Sequence, residues 1–472
     1  MKNNLLKKFL SFSIGGYINI LIGLFTVPIT TRMLTPEQYG ISSLVTTITS
    51  LLFVFCCLGL EQGFVRFFYD EEEKNRGRLL YSCLYYPFFI TIFVSGVLVL
   101  FKRKISVFIV GNYDIGAIWI LILSIVFTSL KNFSLLIIRM QQKGKLYSMF
   151  NVLIKVLEFI FILLLYRIYG NNYRTLVLSI LFSTIIVTIL SIYIERKFWK
   201  FKGNTKTTTR DLLKFSSPLV LTMALGWIFG SCDKIVIKIF SDLNEVGLYA
   251  GAFKIIALVS VIQNGFTTFW TPVIYEHYSK NPNDLIFFKK ANDYLSLLFF
   301  ILGIGLLLSR DIVILLLGKK YYSSAFIMPM LVFIPIMYLI SETTMMGISF
   351  KKQTKYFLYI SMAVSTTNLM GNIILVPYLG AKGAAISTGI SYILFFYLRT
   401  YFSIRLINFN FNLKRIYFST LLMLLYALIL SFYNNIYFTI ICGIILEIII
   451  LLIYFPVIKN FYIEFRKNGV RL

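Results

Sequence analysis

Runs of about twenty apolar residues recur along the whole chain, each closed by a short cluster of charged or turn-forming residues. As a helix, such a run spans roughly 30 Å, the hydrocarbon thickness of a bilayer. Fourteen runs qualify. In the first half they cover 9–31, 41–60, 79–101, 115–138, 147–168 and 174–195. The second half gives 212–240, 246–274, 291–309, 321–349, 356–377, 381–403, 415–433 and 436–457. The runs at 212–240 and 321–349 are longer than a straight span needs. They hold Pro218, Pro329 and Pro335, so tilts or breaks are expected there. The pattern predicts an all-α polytopic membrane protein of about 14 transmembrane helices. The first run is too long for a cleavable leader and lacks a small-residue cleavage site.

The longest polar break, ERKFWKFKGNTKTTTR over Glu195–Arg210, reads as a linker between two halves. Those halves align. KFLS at Lys8–Ser11 answers KFSS at Lys214–Ser217, and at the same offset Arg32 meets Lys238. Further on, Lys145 meets Lys355 and Gly170 meets Gly380, with an offset only four residues larger. Six plus six spans of like orientation predict two lobes related by an axis along the membrane normal, with the substrate path between them. The expected divisions are a six-helix lobe at 1–200, a second at 201–410, and two additional helices with a tail at 411–472. The stretch TRMLTPEQYG, Thr31–Gly40, is then an external turn. Pro36 is expected to stop the first helix, and Glu37 to accept from the amides that open the second.

Composition narrows the class. Hydrophobic residues make up 58% of the 472 and charged residues only 14%, more apolar surface than a soluble chain could bury. The formal charge is +26. Lys and Arg outside the runs favour the segments on the N-terminal side by about three to one, which predicts both termini in the cytoplasm. That bias and attraction to anionic membrane lipid account for the charge without a nucleic-acid partner. The five cysteines lie inside apolar runs and read as small packing residues; a single histidine, His277, leaves little basis for a metal site. There is no phosphate-binding glycine loop, so direct drive by ATP is not expected. No soluble stretch is long enough for a glycosyltransferase domain.

Three strings carry a family resemblance. TRMLTPEQYG, DKIVIKIFSDLNEVGLYAGAFKI and NIILVPYLGAKGAAIST resemble signatures of the Wzx-type polysaccharide flippases, members of the multidrug/oligosaccharidyl-lipid/polysaccharide exporter superfamily. The likeness extends over the whole chain, including the 6 + 6 + 2 layout. It implies a MATE-like, two-lobed flippase rather than an enzyme, with no cofactor. Its implied substrate is an undecaprenyl-pyrophosphate-linked oligosaccharide. This would move from the inner to the outer leaflet of the bacterial cytoplasmic membrane, by alternating access, for O-antigen, lipopolysaccharide or capsule synthesis. A coupling ion, proton or sodium, and the polymerase and glycosyltransferases of the same pathway are the implied partners. Two alternatives stay open: a small-molecule or multidrug exporter of the same fold, and a membrane polymerase or ligase of glycan assembly. The small external loops speak against the last.

Charges at membrane depth are costly and so mark candidate sites. Lys131, Lys155 and Glu158 lie well inside their runs, and Lys155 and Glu158, three apart, share a helix face. They form either a structural ion-pair cluster or an ion relay. Glu342 stands one residue from the repeat equivalent of Lys131, an acid replacing a base at matched depth. Lys234 and Lys254 each lie ten residues from the turn centred on Asn244, so both are about 15 Å deep. Lys234 and Lys238, four apart, would repel unless an anion resolves them. A pyrophosphate is such an anion, with Asp233 holding Lys254 or the turn in place. Arg66, just past the second run, is either a snorkelling anchor or the cytoplasmic entrance for a pyrophosphate, and Arg32 is a further candidate substrate contact. The glycine pairs Gly226/Gly230 and Gly247/Gly251 have the spacing of close helix contacts.

Overall fold

The computed structural model describes residues 2–200 and 203–468. The expected runs are helices, with termini mostly within a few residues of those read from the pattern. The first half comprises α1 (Lys2–Met33), α2 (Pro36–Cys57), α3 (Leu60–Phe67), α4 (Arg76–Leu100), α5 (Lys102–Val110), α6 (Ile115–Met140), α7 (Gly144–Tyr169) and α8 (Arg174–Ile194). After the linker come α9 (Thr209–Ser231), α10 (Asp233–Phe240), α11 (Leu243–Lys280), α12 (Leu285–Leu308) and α13 (Arg310–Leu315). The last part holds α14 (Met328–Leu331), α15 (Phe333–Thr344), α16 (Met346–Phe350), α17 (Lys355–Leu406), α18 (Leu413–Phe432), α19 (Ile436–Ile453) and α20 (Phe455–Asn468).

Among the described residues, ten helices are long and apolar enough to cross a membrane, and eleven with one bent pair. One of the ten, α17, has 52 residues, about 78 Å at 1.5 Å per residue, far more than one crossing requires. Gly380 interrupts it with φ 55° and ψ −135°, between the expected runs 356–377 and 381–403. Together with α1 and α11, which occupy the first and eighth expected runs, the helix order agrees with about fourteen spans.

Two expectations about breaks change. The 212–240 run does not break at Pro218, which lies inside α9, but at Cys232 between α9 and α10. The 321–349 run fragments into a three-ten segment (Lys319–Phe326), α14, α15 and α16, with a 60° bend after Phe326. Pro329 sits in the first turn of α14, where the missing N–H costs nothing. Another break was not foreshadowed: α2 ends at Leu58 and Gly59, both left-handed (φ 51° and 68°), and the chain restarts as α3.

The backbone records the repeat. Gly170 has φ 57° and ψ −136°, the same geometry as its partner Gly380, in a region that side chains exclude. Gln142 (φ 57°) and Lys352 (φ 56°) match at the same offset, as do the bonds Lys143 N–H to Ile138 O (3.2 Å) and Gln353 N–H to Ile348 O (3.0 Å). Corresponding turns thus fold alike although their sequences have diverged.

By packing, the chain forms two compact units. Met1–Lys238 with Asp242–Ala250 form one, and Ile239–Ser241 with Gly251–Leu472 form the other. In the first unit α7 packs on α1 and α8, α6 on α8 and α2, and α9 on α3 and α2. Its apolar centre joins Cys57, Leu60, Phe64, Cys83, Phe133 and Leu212. In the second unit α15 packs on α17 and α12, while α18 and α19 lie against α12 and each other. Asp293 on α12 takes hydrogen bonds from Asn412 (2.7 Å) and Arg415 (3.3 Å), and Arg310 donates to Leu430 O (2.6 Å). These contacts tie α18 to α12 and α13 within the second unit.

The Thr31–Gly40 turn is built otherwise than expected. Pro36 is the first residue of α2 rather than a stop for α1, which already ends at Met33. Thr35 precedes it as an extended cap that makes no side-chain capping bond of its own. Instead Asn171, from the α7–α8 turn, accepts from the Thr35 amide (2.8 Å), and Gln38 accepts from the Tyr173 amide (2.9 Å). Beside them Asp114 binds the Arg174 guanidinium (2.8 Å) and the Tyr173 hydroxyl. Burial would raise the Asp114 pKa, but those two donors outweigh it and hold the carboxyl below its usual range. Gly40 and Gly247, equivalent positions of the two repeats, meet here: a Cβ on Gly40 would overlap the Leu243 carbonyl, and one on Gly247 the Pro36 carbonyl. Gly251 packs on Tyr321. Close contact therefore explains Gly247/Gly251 but not Gly226/Gly230, beside which there is open space.

Candidate functional site

The first unit gathers one of the expected charge clusters. Lys155 and Glu158 on α7 pair at 2.7 Å, with the lysine half-exposed and the carboxylate largely covered. Lys131 on α6 and the buried Tyr39 on α2 lie within electrostatic reach of Glu158. Two cations and one anion thus share a zone reached from three helices. A net positive charge at this depth is costly unless an anion or water compensates it.

A second zone lies along α2. Lys234 on α10 approaches the Thr47 hydroxyl at 3.4 Å, and one turn further along α2 the Trp227 indole donates to Ser50 Oγ at 2.9 Å. Ser50 also lines a cavity of about 160 Å³ between α2, α6 and α8, whose other polar walls are Thr46, Thr49, Ser124, Thr128 and Thr184. A row of hydroxyls beside an ammonium group can bind sugar hydroxyls or phosphate oxygens without a fixed geometry. Lys238 is half-buried on the same helix as Lys234. Asp233 is buried and accepts from the Tyr249 hydroxyl at 2.5 Å, so it fastens the α10–α11 turn. Lys254 is exposed on α11, in the part of that helix assigned to the second unit.

The remaining expected residues stand apart from these zones. Arg66 is exposed, pairs with Asp70 four residues on (2.8 Å), and stacks on Phe67. Arg32 is exposed in the last turn of α1. Glu342, on α15 in the second unit, is 3% exposed and binds Arg399 of α17 at 2.9 Å. Arg399, 7% exposed, also donates to Ser341 Oγ (2.6 Å) and contacts Met345, with the Phe395 and Tyr338 rings beneath it. A Thr344–Thr400 bond (2.7 Å) and a Gly347 N–H to Ser403 Oγ bond (2.9 Å) continue this polar seam along α17, against α15 and then α16.

Sequence position gives no warning of Arg399. It lies four residues before the end of its run, where basic residues usually snorkel to the interface. Glu61, the second unforeseen group, is 3% exposed in α3, and among the described residues neither of its carboxylate oxygens has a hydrogen-bond partner. Its signal was the GLEQG string, where an acid between glycines directly follows a run. Asn372 and Asn368 on α17 add a buried amide pair (3.3 Å).

The helix order, its internal repeat and the apolar lengths of the helices define an all-α, polytopic membrane fold. Solved structures share it. The lipid II flippase MurJ in its inward closed conformation superposes with a TM-score of 0.70 at 20% identity, covering 96% of this chain and 99% of that one. An inward-facing multidrug resistance MATE family transporter of the MOP superfamily gives 0.61 at 14% identity, over 84% and 95%. Among curated proteins, Lsg locus putative protein 1 of Haemophilus influenzae is 23% identical over 79% of this chain and 93% of its own length. Capsular polysaccharide biosynthesis protein CapF of Staphylococcus aureus is 20% identical over 82% and 96%. Residues 5–277 match the family model described as polysaccharide biosynthesis protein, and the chain belongs to that family.

Proposed function

We propose that the protein flips an undecaprenyl-pyrophosphate-linked oligosaccharide from the inner to the outer leaflet of the bacterial cytoplasmic membrane. Membership of the polysaccharide biosynthesis family over residues 5–277 carries this reading. The fold supports it, because it is shared with a protein described as a lipid II flippase. In this reading the protein is a transporter that makes and breaks no covalent bond. Residues 1–200 and 201–410 act as the two lobes of an alternating-access cycle, 411–472 is an addition to the second, and both termini face the cytoplasm.

Lys234, Lys238 and Lys254 are assigned to the pyrophosphate, and the Thr47–Ser50 hydroxyl row to the first sugars. Asp233 acts by positioning, through Tyr249. Arg66 and Arg32 serve as cytoplasmic and outer anion contacts. The Lys131–Lys155–Glu158 cluster and Glu342 are assigned to ion coupling or to the conformational change. A strain lacking the gene should lose surface polysaccharide and accumulate lipid-linked oligosaccharide in the inner leaflet, and the cloned chain should reverse both. If the deletion strain instead makes full-length surface polysaccharide and becomes drug-sensitive, the multidrug reading replaces this one.

A further inference from the structure

One feature outside the charge clusters combines a groove with cations. Helix α4 turns an aromatic face outward: Tyr85 packs on Phe89 at 5.0 Å and Phe88 on Phe89 at 5.5 Å, with Phe88 61% exposed. Exposed rings are ordinary on a lipid-facing helix, but this face is concave. With α6 and Trp199 it encloses a groove of about 590 Å³ that runs from Tyr81 to Ser95. The fourteen steps of helix from Tyr81 to Ser95 cover about 21 Å, enough for the roughly 15 Å hydrocarbon depth of a single leaflet.

The linker-side end of the groove is polar. One helical turn before Tyr81 lies Gly77, which lines a separate pocket of about 390 Å³ with Glu73, Lys74, Lys197 and Phe198. Phe198 and Trp199 are neighbours in the three-ten turn Phe198–Lys200, so one short segment borders both spaces. Arg78 is exposed, and its guanidinium sits 4.7 Å from the centre of the Tyr81 ring at the junction. Lys74 pairs with Glu72 at 2.9 Å, whereas Arg78 and Lys197 form no ion pair among the described residues. An apolar channel one leaflet deep, opening on two such cations, matches an amphiphile with an anionic head.

We propose that this is a binding site for an anionic phospholipid of the cytoplasmic leaflet. Arg78 and Lys197 hold the headgroup phosphate, and one acyl chain lies along α4. The side of the membrane rests on the orientation proposed above; the binding does not, because purified protein reports it whether or not a glycan lipid is flipped. Basic pockets beside membrane helices bind such headgroups, and each cation near the surface contributes about fivefold in affinity.

The test is native mass spectrometry of the full chain in mild detergent, titrated with phosphatidylglycerol or with phosphatidylethanolamine of the same acyl chains. The wild type should retain one phosphatidylglycerol with about 25-fold preference. Arg78→Gln/Lys197→Gln should lose that preference at an unchanged lipid-free melting temperature. If the double variant does not fold, Lys197→Gln alone, on an exposed residue, should lower it about fivefold. Thr91→Trp, which fills the groove, should weaken retention of both lipids. Equal retention of the two lipids by the wild type, or a double variant that keeps its preference, would overturn the proposal. Displacement of phosphatidylglycerol by stoichiometric undecaprenyl phosphate would overturn the choice of occupant and assign the site to the carrier lipid.

Discussion

Removing one partner of the Glu342–Arg399 pair should be among the costliest single changes in the second unit. The two side chains are 3% and 7% exposed and 2.9 Å apart, so neither can recruit bulk water if its partner is lost. Arg399→Met leaves the Glu342 carboxylate buried without its counter-charge, at a cost of about 3–5 kcal/mol. Glu342→Gln should fall at the lower end of that range, since Ser341 and the Phe395 and Tyr338 rings still attend the guanidinium. The double variant removes both charges and should recover to within about 1–2 kcal/mol of the wild type. Equilibrium denaturation of the purified variants in mixed detergent would read this cycle. Singles that each cost under about 1 kcal/mol, or a double that costs their sum, would refute the argument. Export then separates the roles: a double variant that regains stability and exports makes the pair structural, whereas one that regains stability without exporting makes it part of the transport cycle.

Other expectations follow from particular contacts. Gly170→Ala and Gly380→Ala should each destabilise by about 1–3 kcal/mol, read in the same denaturation assay; because a Cβ at Gly170 meets open space, the cost there is backbone strain alone, and a neutral Gly170→Ala would contradict it. Lys234→Gln and Lys254→Gln should each stop surface-polysaccharide export at normal membrane levels of protein; full export by both moves the anion site elsewhere. Glu71 is enclosed and takes hydrogen bonds from the Thr205 hydroxyl (2.6 Å) and from the Thr207 amide and hydroxyl (2.8 and 2.7 Å). Burial would raise its pKa, but those bonds prevail and lower it below 4.5. A depressed folded pKa means that this anchoring of the linker is complete above 4.5 and is lost as pH falls through the lower folded value. Amide exchange at Lys206 and Thr207, corrected for intrinsic rate, should show protection at pH 7 that falls away in acid; equal protection at both would refute it. Cysteines at Lys206 and Asn434 should label from the cytoplasmic and outer sides respectively, and labelling of both from one side would overturn the topology.

Much of the fold was legible because hydrocarbon thickness fixes helix length, and helix length fixes the apolar run. The repeat was legible at Gly170 and Gly380, since only glycine holds that backbone, so the residue survives where neighbours drift. Breaks were less legible. Pro218 marked the wrong position because a proline is tolerated where neighbouring helices resatisfy the freed carbonyl. The break at Leu58–Gly59 carried only one glycine as a signal. The Thr31–Gly40 turn was found by its sequence, but its capping partner Asn171 comes from another turn, and no local reading supplies that. Among charges, Lys155 and Glu158 revealed their pairing because they are three apart on one helix. Glu342 and Arg399 are on different helices, and their pairing follows from packing alone. Lys234 was legible as a deep cation, but its neighbour Thr47 was not.

The most direct test of the central claim is reconstitution of the purified chain into liposomes carrying a fluorescent undecaprenyl-pyrophosphate oligosaccharide in both leaflets. A glycosidase or a membrane-impermeant quencher added outside samples only the outer leaflet. With active protein, the inner pool should become accessible, so that the signal loss rises from about half towards completion, and Lys234→Gln should abolish that rise. A loss that stays near half with wild-type protein, under an imposed proton or sodium gradient as well as without one, would contradict the account.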